Sequence, residues 1–190
     1  KTYKEKNEAV LRCTNTHGCY AQQVSQIIHF ISKKALNIDG FGEKQAKQLY
    51  DLKIISNIVD IFLLEKNKNI IEKLEGWGPL SFKNLTLSIE KSKKISLDKF
   101  IYSLGIRYIG EVNAEILGKE LKNIDNFISL SNDTSALANI DGLGPKAISS
   151  IIEYFSYAQN LSIIKKLSKT LDIKDNIISN SKNFFSNKSI

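Results

Sequence analysis

The chain has 190 residues, 27 of them Lys or Arg and 20 Asp or Glu, for a net charge of +7 and a pI near 9.2. That balance favours a polyanionic partner, although the richness in Ile, Lys and Asn fits an AT-rich genome that supplies part of the lysine excess. Two cysteines in so long a chain argue against a disulfide scaffold and suit a reducing compartment; no apolar run approaches a membrane span, and the start does not read as a signal peptide.

In chain order, residues 1–20 show no strong periodicity and contain Cys13-Thr-Asn-Thr-His-Gly-Cys19. Two cysteines at this spacing are weak evidence for a metal, because structural zinc normally takes four ligands, and His17 reads as a turn residue. From Ala21, the spacing of Val24, Ile27, Ile28, Phe30 and Ile31 predicts an amphipathic helix. It leads into Ile38-Asp-Gly-Phe-Gly-Glu-Lys-Gln-Ala46 and a helix from about Glu43 to Leu52.

That stretch begins a repeat. It recurs as Leu74-Glu-Gly-Trp-Gly-Pro-Leu-Ser-Phe82, more loosely as Ile106-Arg-Tyr-Ile-Gly-Glu-Val-Asn-Ala114, and as Ile140-Asp-Gly-Leu-Gly-Pro-Lys-Ala-Ile148. The closing glycines Gly42, Gly78, Gly110 and Gly144 are 36, 32 and 34 residues apart, a period typical of supersecondary repeats. The alignment requires apolar residues at fixed offsets. Phe41, Trp77, Ile109 and Leu143 fill the centre of each bend, while Ala46, Phe82, Ala114 and Ile148, then Leu49, Leu85, Leu117 and Ile151, fill one helical face after it. The two glycines around one apolar residue (Gly40 and Gly42, Gly76 and Gly78, Gly142 and Gly144) allow a tight reversal. Pro or Glu follows each closing glycine, as suits a first helical turn. Each unit therefore reads as helix, hairpin, helix.

A helix N-terminus presents unpaired N–H groups and a partial positive charge, and glycine lets a phosphate oxygen approach the backbone. Such contacts read no bases, so binding should be indifferent to sequence. Lys44 and Lys146 lie two residues past the closing glycines, where an ammonium can reach the same phosphate. Unit two has Leu80 there and Lys83 one turn on; unit three has Val112, lacks the first glycine (Tyr108), and carries Arg107 in its bend. For a single bend, the plainer reading is an ordinary turn and helix cap. Four in register on a basic chain favour phosphate binding. Lys47, Lys83 and the Lys91, Lys93, Lys94 cluster also fit a simple solvated face.

Elsewhere, Ser56 to Leu64 and Lys68 to Leu74 read as short helices, and Pro79 to about Lys93 as a longer one. Trp77 and His29 read as packed residues, and Asp39, Glu75 and Asp141, at one repeat position, as structural. Ser96 is a candidate N-cap, with Lys99 where a capping box takes Glu. Further helices are expected over Leu97–Leu104, Glu111–Leu121, Ile124–Leu130, Ser135–Ile140, Pro145–Tyr157 and Asn160–Leu171, with no strand alternation before about Asp172. Residues 173–190, rich in Asn, Ser and Lys, read as a linker.

Several segments together resemble the C-terminal half of bacterial NAD-dependent DNA ligases. They are Ala9-Val-Leu-Arg-Cys-Thr-Asn15 with Cys19-Tyr-Ala-Gln22, Ile28-His-Phe30, Ile38-Asp-Gly-Phe-Gly-Glu-Lys44, Ile89-Glu-Lys-Ser-Lys-Lys94 and Leu104-Gly-Ile-Arg-Tyr-Ile-Gly-Glu111. The likeness covers roughly residues 7–172 and departs at Tyr20, where the family usually has proline. It implies an all-α fold of four tandem helix-hairpin-helix units (near 38–52, 74–93, 104–121 and 140–157) within 23–172. Before them it implies a partial zinc finger over 1–22, with Cys13 and Cys19 as half of a four-cysteine zinc site whose first pair should lie upstream. After them, 173–190 should be a linker and the start of a truncated BRCT domain.

The implied DNA-binding residues are Gly40, Gly42, Lys44, Gly76, Gly78, Lys83, Arg107, Gly110, Gly142, Gly144 and Lys146. The implied partner is nicked duplex DNA, gripped across the minor groove in replication and repair by a monomer in the bacterial cytoplasm, at the nucleoid. NAD and magnesium, with the adenylated lysine, would be bound outside this chain, which alone should not ligate. The competing readings are a protein-interaction module, or a DNA-binding module of another repair protein such as a structure-specific nuclease; no catalytic constellation supports a complete small enzyme.

Overall fold

The computed structural model describes the backbone of 2–4 and 11–13 and residues 19–176 in full. Most of the described chain is helical. β1 (Thr2–Lys4) pairs antiparallel with β2 (Leu11–Cys13), Thr2 opposite Cys13. Next comes α1 (Tyr20–Ile31), which buries Val24, Ile27, Phe30 and Ile31, the stripe that the i, i+3, i+7 spacing predicts.

Each bend feeds the helix expected of it. The helices are α2 (Glu43–Asp51), α4 (Pro79–Ser92), α6 (Glu111–Leu121) and α8 (Pro145–Ser156). Between them lie α3 (Lys68–Ile71), α5 (Leu97–Ser103) and α7 (Ile124–Ser129), and α9 (Ala158–Thr170) follows α8. Ser96 stands at the N-cap of α5 with extended backbone, and its side chain makes no cap bond.

Ser56 to Leu64 is not one α-helix. The Asp60 carboxylate accepts the Ser56 and Asn57 amides at 2.8 and 3.1 Å, which holds the first residues in a turn. A 3-10 helix then runs over Asp60–Asn67. Ile58, Ile61 and Leu64 are all buried, and their spacing of three is the 3-10 repeat rather than the α repeat. Ser135–Asn139 is likewise 3-10 rather than α.

The expectation of no strand before Asp172 is also corrected. β3 (Lys94–Ser96) pairs parallel with β4 (Asp172–Lys174), with Ile95 opposite Ile173. Three residues are too few to show alternation in a sequence. The pair is a clasp: the Asp172 amide donates to the Lys93 carbonyl and the Asn176 amide to that of Lys122, both at 2.8 Å, so the segment after α9 is tied back to the ends of α4 and α6. Residues 173–174, placed in the expected linker, thus belong to the fold, and the expected BRCT start lies outside the described residues.

One apolar cluster runs through the described molecule. α1 joins the two hairpin pairs within it, packing on both α2 and α5. His29 serves that junction: its Nε2–H donates to the Tyr102 carbonyl at 2.8 Å and its ring lies 4.7 Å from that of Tyr102. It is a packed residue, as its apolar surroundings suggested.

Candidate nucleic-acid interface

The four bends have one backbone. In each, the leading apolar carbonyl accepts the amide three residues on: Ile38 from Phe41, Leu74 from Trp77, Ile106 from Ile109 and Ile140 from Leu143, at 3.0–3.3 Å. The residue before the donor is left-handed in every case, with φ of +78° at Gly40, +81° at Gly76, +60° at Tyr108 and +81° at Gly142. A turn with positive φ at its third residue favours glycine, so Tyr108 holds this geometry at a cost of about 1–2 kcal/mol.

The closing glycines behave otherwise. Gly42, Gly78, Gly110 and Gly144 are the extended N-caps of their helices, a conformation open to any residue. The reversal therefore needs only the first glycine of each pair. A Cβ on Gly78, Gly110 or Gly144 would meet nothing within 4 Å. Glycine is among the favoured N-cap residues, and at these three positions it also leaves the space beside the first helical turn open. None of the four N-caps offers a side-chain bond, which leaves the amides of the first turn available to an anion.

The structure exposes Gly40, Gly42, Gly76, Gly110, Gly142 and Gly144 and leaves Gly78 half-buried. Lys44, Lys83 and Lys146 are exposed and Arg107 is half-buried. Beneath the bends, Phe41, Ile109 and Leu143 are buried, while Trp77 is half-buried against the core. Two bends carry an acid in the first turn, and each acid is matched by a lysine: Glu43 by Lys47 at 2.5 Å and Glu111 by Lys34 at 2.6 Å. Glu111 raises the Lys34 pKa, first through its hydrogen bond, so that cation stays charged. Both pairs are surface pairs and matter more for local charge than for stability. Bends two and four begin with Pro79 and Pro145 and have no acid there.

Side chains pair the bends in a way no spacing predicts. Gln48 of α2 accepts from the Trp77 indole at 2.7 Å and donates to the Glu75 carbonyl at 3.2 Å, locking bend two against the first unit. Lys146 of bend four has its Nζ 5.5 Å from the centre of the Tyr108 ring of bend three. Arg107 covers the same ring at 4.5 Å, and its Nη2–H donates to the Tyr108 hydroxyl at 2.6 Å. Reading the sequence identified Tyr108 only as a missing glycine. An aromatic beside Arg107 at that position was the available signal.

An open cleft of about 1490 Å³ adjoins bend three, walled by Gln22 and Gln26 of α1, by Arg107 and Tyr108, and by Tyr154 and Lys166 of α8 and α9. The Tyr154 hydroxyl is buried with no hydrogen-bond partner among the described residues, and desolvation pushes its pKa up. Removing an unsatisfied buried hydroxyl should be neutral or stabilising by up to about 1 kcal/mol, so Tyr154→Phe should hold or raise the thermal midpoint. A clear drop would show that the hydroxyl has a partner.

Of the expected metal ligands, Cys19 is half-buried at the N-cap of α1, and Cys13 lies on β2 with its side chain outside the described residues. No group of three or more potential metal ligands occurs among the described residues. Two thiolates can supply half of a closed zinc site and no more, so the remaining donors would have to come from other residues. No helix among the described residues is long and apolar enough to cross a membrane.

Residues 99–164, which contain bends three and four, match the helix-hairpin-helix motif family. Bends one and two lie outside that match, although their turn geometry is the same. The chain is 45% identical to a DNA ligase of Pelagibacter ubique (strain HTCC1062) over 99% of its length and 29% of that protein's. DNA ligases of Rickettsia canadensis (strain McKiel) and Rickettsia conorii (strain ATCC VR-613 / Malish 7) are 44% and 43% identical, over 88% and 92% of the chain and 26% and 27% of their own lengths. The chain thus spans little more than a quarter of the relatives it matches. Over nearly all of its length, it is a homologue of the DNA ligases and carries their sequence through a helix-hairpin-helix region.

Proposed function

We propose that this chain is the duplex-gripping part of an NAD-dependent DNA ligase, holding the sugar-phosphate backbone on either side of a nick while the rest of the enzyme seals it. The observation that carries this reading is the set of closing glycines. They stand at helix N-termini with no side-chain cap, and a Cβ on Gly78, Gly110 or Gly144 would meet only open space. In this reading Gly40, Gly42, Gly76, Gly78, Gly110, Gly142 and Gly144 form the backbone cradles, and Lys44, Lys83, Arg107 and Lys146 add charge to them. The contacts go to phosphates, so the grip is independent of base sequence. Adenylyl transfer, with NAD and magnesium, takes place elsewhere in the ligase. Zinc at Cys13 and Cys19 would complete its coordination with two further thiolates, and its part is structural. The chain acts as a monomer, in the cytoplasm.

Substitution at the closing glycines tests this. Alanine fits the backbone of Gly78 and Gly144 and meets open space, but it is a poorer N-cap than glycine, so Gly78→Ala and Gly144→Ala should each change stability by no more than about 1 kcal/mol. Duplex binding should nevertheless fall, by about three- to tenfold each, because a methyl group now stands where a phosphate oxygen approaches. Unchanged affinity in both variants, measured by fluorescence anisotropy on a nicked duplex, would contradict the reading.

A further inference from the structure

Resting on that reading, we propose that α9 carries a further duplex contact away from all four bends, a stripe of Lys165, Lys166 and Lys169. No bend precedes this helix: its N-cap is Tyr157, and it turns Asn160, Ile164 and Leu167 into the core. Ser162, Lys165, Lys166 and Lys169 face outward at helical spacing, and all four are exposed. The helix holds three lysines and no acid. Wherever else two or more lysines share a helix of the described residues, an acid shares it too, as in α2 and α4. Lys47, Lys68, Lys93 and Lys119 each meet a glutamate three or four residues away. No ion pair reaches the α9 lysines among the described residues.

The helix dipole favours a cation in the last turn, which is the plainer reading of Lys169. It does not account for Lys165, because like charges four residues apart weaken a helix. An anion over the stripe offsets that repulsion. Placement selects the anion. The three lysines and Ser162 rim a hollow of about 290 Å³ floored by Ala158 and Leu161. Ser162 and Lys166 also line the open cleft that reaches Gly110 of bend three, so the two depressions are continuous. A strand held at the start of α6 thus has an open path to α9. That continuity favours a nucleic-acid strand over an acidic polypeptide, and ammonium contacts to its phosphates read no bases.

The test removes two charges in two places from the whole 190-residue chain. One variant combines Lys165→Gln with Lys169→Gln; the control combines Lys53→Gln with Lys122→Gln. Lys53 and Lys122 are exposed and follow the C-terminal ends of α2 and α6, remote from the bends that begin those helices. On a nicked duplex at about 100 mM salt, the α9 variant should lose about fivefold or more in affinity, with a salt slope shallower by about two. The control should stay within about twofold of wild type, and Lys165→Arg with Lys169→Arg should bind as wild type does. Bound duplex should also protect Lys165, Lys166 and Lys169, but neither Lys53 nor Lys122, from acetylation by an amine-reactive ester. The α9 variant should keep its denaturant midpoint, because a like-charge pair has been removed. Equal losses in the α9 variant and the control, or unprotected α9 lysines, would overturn the proposal. If the wild-type chain binds duplex with no salt dependence, the proposed function itself fails. A steep wild-type slope with an unaltered α9 variant removes only the α9 contact.

Discussion

Raising the salt from 50 to 200 mM should weaken duplex binding by this chain on the order of 10² to 10⁴-fold, a log–log slope of about −4 to −7. The estimate assumes one or two phosphates at each of the four bends, whose N-caps are all free of side-chain caps. Charge reversal at the two lysines next to the cradles should act in the same way. Lys44→Glu and Lys146→Glu should each weaken binding whatever the base sequence, and Lys146→Glu more so, since it also places a carboxylate against Tyr108 and Arg107. Leu80 is the internal control: it is 71% exposed at the matching position of bend two, so Leu80→Lys should leave affinity unchanged or raise it. A slope near zero would instead favour a protein-interaction module, whose contacts are apolar and insensitive to salt.

Phe100→Ala should cost about 3–5 kcal/mol of folding stability. Phe100 is fully buried on α5, the helix that packs most closely on α6 and lies at the junction with α1. Alanine there removes a fully buried ring from the core, and the cost combines its lost burial with the cavity left behind. For a domain stable by about 5–15 kcal/mol this is a large fraction, so the denaturant midpoint should fall sharply. Leu80→Ala, at an exposed bend, should stay within about 0.5 kcal/mol of wild type. Similar midpoints for the two variants would show that α5 is not where the two halves are held together.

The four bends and the helix that follows each were legible in the residues alone, because both signals are local. The apolar positions of the repeat recur at helical spacing, and in the structure most are buried; Leu74, Trp77 and Ile148 are half-buried against the same core. The helix starts were equally plain, since Pro or Glu after a glycine marks a first turn. Shorter-range competition was harder to see. Asp60 captures two amides and turns an expected α-helix into a turn and a 3-10 helix, and the apolar residues allowed either reading.

The sequence by itself determined where the chain turns, which face of each helix is apolar, and that uncapped N-termini on a basic chain suit phosphates. Those properties depend on neighbours within one or two turns, which the order of residues specifies directly. Only the tertiary structure decided which bends stand together: the first two through Gln48 and Trp77, the last two through Tyr108 and Lys146. It alone set Lys94–Ser96 beside Asp172–Lys174 and put a tyrosine in a glycine's conformation. These are contacts between residues distant in the chain, fixed by packing and hydrogen-bond geometry that no local periodicity encodes.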